Sequence, residues 1–174
     1  MKHLFLSIVL TLMCFCGSAT VVTVNASSTG TTTSSAKTAG TITVNNTTNR
    51  GYAVFNLATA GIPAAAIITN VKLVFTYTIS GSGSPTRTIY GYDGDISALS
   101  AASLYAAAVT SNTMYTASWG NAATTKTMSS TADADSFIQH YHTGTISTTW
   151  VESGASRVYT ITGGASPYLQ ITYT

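Results

Sequence analysis

Residues Arg50–Phe75 read RGYAVFNLATAGIPAAAIITNVKLVF and hold two strand patterns with a proline-containing connector between them. In the first, Ala53, Phe55 and Leu57 point one way while Tyr52, Val54 and Asn56 point the other, the period-two alternation of a half-buried strand. In the second, Val71, Leu73, Phe75, Tyr77 and Ile79 share a face, with Lys72, Thr76 and Thr78 opposite. Gly61 and Pro63 lie between them. Pro63 fixes its own φ and turns Ile62 away from helix, so the connector is expected to be an extended loop. The stretch is therefore scaffold, and it places Phe55, Leu57, Val71, Leu73 and Phe75 in the core of a sheet protein.

Outward from it, the chain keeps the same style. Thr20–Asn25 reads as a short strand, followed by a Ser/Thr/Gly-rich stretch, Ala26–Gly40, expected to be a flexible linker or a long first loop. Thr41–Asn45 is a second short strand and Asn45–Asn49 a turn. On the C-terminal side, Ser80–Pro85 is a turn with two glycines and a proline, permitting a hairpin into Thr86–Tyr92. Ile96–Val109 fits one or two short helical turns, and Met114–Trp119 and Thr124–Ser129 return to strand around Gly120-Asn121. Asp133–Tyr141 is a second helix, with acids at its start and Gly144 beyond its end. Three strands follow at Ile146–Val151, Arg157–Thr162 and Tyr168–Thr174, separated by Glu152–Ser156 and Gly163–Pro167. Strands at this spacing, with helices only as excursions, predict an all-β fold, an antiparallel β-sandwich of jelly-roll type.

Met1–Ala19 carries Lys2 and His3, an apolar run Leu4–Phe15 and the small residues Gly17-Ser18-Ala19, the pattern of a secretory signal. The apolar run falls short of the roughly 20 residues of a membrane span. The expected organisation is residues 1–19 as signal peptide, 20–40 as an N-terminal strand and tether, and 41–174 as the sandwich. Both cysteines, Cys14 and Cys16, lie in the leader, so the mature chain has no disulfide, which points to a bacterial exported protein. Only 7% of the residues are charged, against about 25% in an average soluble domain. The basic residues are scattered singly, which argues against nucleic acid and anionic membranes as partners, and weak self-repulsion leaves contact between copies unopposed.

The pattern Arg50-Gly-Tyr-x-x-Phe55-x-Leu57, then Ile62-Pro63-Ala64 and Ile67–Phe75, closing on Pro167-Tyr168-Leu169-x-Ile171-Thr-Tyr173, resembles the secreted β-sandwich modules called DNRLRE domains and related carbohydrate-binding-module-like domains in exported proteins of Bacteroidetes. Asn56 stands where that family usually has Asp, and Ala65 where it usually has Gly. The resemblance brackets Thr41–Thr174, and in Asp93–Ser147 it extends only to general character. It implies an extracellular module, and some members bind polysaccharide.

Candidate sites are few. Tyr92-Asp93-Gly94-Asp95 offers oxygen ligands to Ca²⁺, although Asp and Gly are ordinary turn residues and no third acid is near, so no cofactor is expected. His140 and His142 are about 200° apart on a helix, which disfavours a shared zinc and leaves two solvent-facing histidines. No nucleophile stands beside a recognisable base, so no enzyme is expected. Trp119 and Trp150 are expected in the core, and Tyr90 and Tyr92, beside a polar turn, are the aromatic pair placed to hold a ligand together with Asp93 and Asp95. Two functions follow. The first is a non-catalytic structural or adhesive protein at the cell surface, whose Val21, Val22 and Val24 add a strand to another copy or to another surface protein. The alternative is a carbohydrate-binding module recognising a polysaccharide through its surface aromatics.

Overall fold

A computed structural model describes residues 17–45, 48–81, 83, 85–110, 112–119, 124–153, 157–161 and 167–174. The leader as far as Cys16, the turn at Gly120-Asn121 and most of the Gly163–Pro167 separator lie outside the described residues. The strands are β1 (Thr20–Asn25), β2 (Ser28–Thr32), β3 (Lys37–Ala39), β4 (Ile42–Asn45), β5 (Arg50–Asn56), β6 (Ile68–Gly81), β7 (Thr86–Asp93), β8 (Asn112–Ser118), β9 (Thr124–Met128), β10 (Thr145–Ser153), β11 (Arg157–Ile161) and β12 (Tyr168–Tyr173). Two helices interrupt them, α1 (Ala101–Ala107), preceded by a 3-10 turn at Ile96–Ala98, and α2 (Ala132–Tyr141).

The strands form two antiparallel sheets packed as a sandwich. One sheet runs β3-β2-β5-β10-β7-β8. The other is built on the long β6. There β9 pairs with residues 73–77, β12 with residues 68–74 and β11 with residues 77–81. A strand has only two edges, so β11 and β12 lie end to end along one of them and β9 occupies the other. β1 flanks β12 and β4 flanks β11, completing the sheet.

The core sits between the sheets where alternation places it. Phe55, Leu57, Val71, Leu73 and Phe75 are buried, as are Trp119 and Trp150. Tyr52 and Val54, on the other face of β5, do not meet solvent as a half-buried strand would have them. The excursion through α1 lies over them, and with Ile96 and Leu104 they form a second, smaller core on the outer face of that sheet. Lysine and arginine clamp this cover. Lys37 donates to the carbonyls of Ser97 and Leu99, and Arg50 donates to Tyr105 O while its guanidinium sits 3.7 Å from the centre of the Tyr105 ring.

Three local expectations are corrected. The Ser/Thr/Gly-rich stretch is neither linker nor open loop, because β2 pairs with β5 and β3 pairs with β2. Thr is at home in strands, and Gly30 is needed there because a Cβ would come 2.5 Å from the Tyr52 hydroxyl. The connector after Leu57 folds through two turns, with Ala60 N–H donating to Leu57 O and Ala66 N–H to Pro63 O. Glu152 is not in a separator but inside β10, which continues to Ser153.

Candidate functional site

α2 begins at Thr131, whose side chain accepts from Ala134 N–H and whose hydroxyl donates to Met114 O at 2.7 Å. Asp133 and Asp135 fill the first turn, where they complement the helix dipole. Asp135 accepts from the Ser130 hydroxyl at 2.5 Å. Ala134, Phe137 and Ile138 face the core, and Phe137 rests on Gly91 of β7, where a Cβ would come 2.7 Å from the ring. At the other end Gln139 acts as a strand partner for the connector, accepting from Ile68 N–H at 2.7 Å and donating to Ala66 O at 3.1 Å. α2 is therefore fixed at both ends.

Its outer side forms one wall of a cleft of about 530 Å³. Asp133, Ser136, Phe137, His140 and Tyr141 recur at helical spacing along that wall, and Asn112 and Thr113 of β8 face them. The β8 side is shaped by a bulge. Ile89 pairs with Tyr115 but Tyr90 pairs with Thr113, so Met114 is an extra residue, and Met114 and Tyr115 both enter the core. Such a bulge re-aims the residues beyond it, here Asn112 and Thr113. The rings of Phe137 and Tyr141 are 4.9 Å apart, and His140 meets Tyr141 edge-on at 4.5 Å. The side chains of Asn112, Thr113, Asp133 and Ser136 make no hydrogen bond among the described residues.

The residues singled out from sequence are not gathered at this cleft as a set. Tyr90 and Tyr92 are half-buried on the outer face of their sheet, and Tyr92 packs against the second core. Asp93 is exposed, while Asp95 caps the 3-10 turn, accepting from Ser97 N–H at 2.8 Å and from the Ser97 hydroxyl at 2.6 Å. Among the described residues no three His, Cys, Asp or Glu side chains converge on a metal position. Of the histidines, His140 is exposed on the cleft. His142 is not solvent-facing: it is buried beyond the helix end, Nδ1 2.8 Å from Gln139 O and Nε2 3.2 Å from Pro63 O, because the chain turns inward there. Val21, Val22 and Val24 lie in β1, which pairs along all six residues with β12 of the same chain. Val24 is buried, Val22 is half-buried and Val21 is 56% exposed.

A second polar cluster went unread in the sequence. Arg87 and Glu152 face each other across β7 and β10 with their side chains inside the sandwich, Nε 3.6 Å from Oε2 and both fully buried. The guanidinium carbon lies 3.3 Å from the centre of the Tyr159 ring and 4.9 Å from that of Trp119, and Nη1 donates to Pro85 O at 2.9 Å. Burial lowers the Arg87 pKa, opposed by Tyr159 and Glu152. The signal was present as Ile146-x-Thr148-x-Trp150-x-Glu152 and Arg87-x-Ile89-x-Gly91, two inward-facing rows that each end on a charge. No protein-family model and no curated protein matches the chain.

Proposed function

We propose that this chain is a non-catalytic, secreted structural or adhesive protein whose copies join by exchanging β1. The observation that carries the reading is how β1 is attached. It is an edge strand, and only Ala26 and Ser27 separate it from β2 in the other sheet. Ala26 N–H donates to Pro167 O and Ser27 N–H to Val54 O, so the chain passes between sheets across one peptide bond. A short hinge invites exchange, and exchange remakes the same six residue pairs between copies at little cost in contacts. The low charge leaves the approach of a second copy unopposed. The likeness to exported β-sandwich modules agrees with a place at the cell surface.

Electron microscopy and size-exclusion chromatography of the secreted protein test it. Wild type should form oligomers or filaments, and deletion of Thr20–Asn25 should leave a folded monomer. A wild-type protein that stays monomeric at high concentration ends this reading.

A second reading, a carbohydrate-binding module, is favoured by the α2–β8 cleft and its unengaged polar side chains. Affinity electrophoresis on a polysaccharide panel tests it. Tyr90→Ala and Tyr92→Ala report whether the aromatic pair takes part.

A further inference from the structure

We propose that the cleft between α2 and the start of β8 is a site for a neutral pyranose residue, an inference that rests on the carbohydrate-binding reading and gives it a location. Among the described residues the lining carries one carboxylate, Asp133, and no lysine or arginine. An anion is therefore repelled, whereas a neutral ligand is not. Asn112, Thr113, Ser136 and His140 add polar groups on two walls, more than a single ammonium group could satisfy. Tyr141, half-buried and 4.9 Å from the buried Phe137 ring, supplies ring surface. The ligand that matches has an apolar C–H face to lie on a ring and hydroxyls around its edge for Asp133 and Asn112, which describes a pyranose. The volume falls within the roughly 300–1,000 Å³ of small-molecule sites.

The walls are held in place independently of any ligand. Phe137 is seated on Gly91, Thr131 on Met114 O, and Gln139 on the connector backbone. Asp135, in the same first turn, is engaged by the Ser130 hydroxyl, whereas Asp133 faces an open cavity.

The test uses the full secreted chain in two measurements. Native gels containing a β-glucan, a xylan or a galactomannan report retardation. Amide NMR then follows titration with the methyl glycosides of glucose, xylose, galactose and mannose, and separately with tetramethylammonium chloride as an organic-cation probe. At least one neutral polysaccharide should retard the protein, and its glycoside should shift the amides of residues 112–113 and 133–141. Asp133→Asn and Asn112→Ala, both at exposed positions, should weaken association tenfold or more with unchanged melting. Tyr141→Phe should retain most binding and Tyr141→Ala lose it. Retardation that survives both Asp133→Asn and Asn112→Ala leaves the carbohydrate reading standing and overturns this site. Absence of retardation on every polysaccharide overturns both. Amide shifts produced by tetramethylammonium but by no glycoside overturn the pyranose assignment in favour of an organic cation.

Discussion

Near the start of β7, Arg87 and Glu152 lie among Trp119 and Tyr159, while at α2 Asp133 and His140 lie beside Phe137 and Tyr141. The ingredients are nearly the same, charge beside aromatic rings, but the first set is sealed between the sheets, whereas Asp133 and His140 are exposed. Inside, each charge needs its partner, because desolvation is costly and the rings offer only a partial substitute for water. Outside, the same groups are hydrated, need no partner in the chain and are available to a ligand. Burial, rather than residue type, separates the structural ion pair from the proposed site.

Five variants test that division. Glu152→Gln leaves the Arg87 guanidinium buried without its counter-charge and should cost about 3–5 kcal/mol, read from urea denaturation. The double change Arg87→Met with Glu152→Leu should recover most of that loss, and a single variant as stable as wild type would break the comparison. Gly91→Ala drives a methyl into the Phe137 ring and should cost about 1–3 kcal/mol while shifting α2 and its cleft. Circular dichroism melting, together with amide shifts along 133–141, would show both effects.

Tyr115 gives a pH dependence. Its hydroxyl donates to Val71 O at 3.0 Å, and burial, with Asp135 adding to it, holds its pKa well above the ordinary value. An unfolded tyrosine releases its proton near pH 10 while the folded one keeps it, so the folded state binds more protons above that point. Stability is thus fully present below about pH 10 and falls above it, by about 1.4 kcal/mol per pH unit for each such group. Tyr115→Phe should flatten that alkaline slope in denaturation series between pH 9 and 12. The smallest effect belongs to the open site: Asp133→Asn should change stability by no more than about 0.5 kcal/mol. A larger loss in the same denaturation assay would mean that the cleft, too, is structural.

The sandwich was legible because β5 and β6 alternate cleanly, and alternation reports which residues turn inward. It does not report what covers the outer face. Tyr52 and Val54 have the pattern of a solvated face, and only the excursion through Ile96 and Leu104, distant in sequence, buries them. Ser28–Thr32 lacked a hydrophobic signal because its buried positions are Gly30 and Thr32 on the outer face, one in close approach to Tyr52 and the other beneath α1 with its hydroxyl donating to Ala101 O at 3.1 Å. The α2 wall of the cleft could be read as a helix with acids at its start, but the opposing wall depends on a bulge at Met114, and bulges leave no mark in the alternation of a six- or seven-residue strand. Arg87 and Glu152 were readable, row by row, had charge been allowed an inward position.

β1 and β12 are the first and last strands among the described residues, and they are neighbours, with Thr20 opposite Tyr173. Closing that pair joins segments separated by nearly the whole chain, which places it among the slowest contacts to form. Until it forms, Leu169 and Ile171 lack the cover of Val24 and Val22. In the proposed exchange, closing this pair and joining another copy would compete for one edge, so protein concentration during folding should decide whether chains close on themselves or on each other.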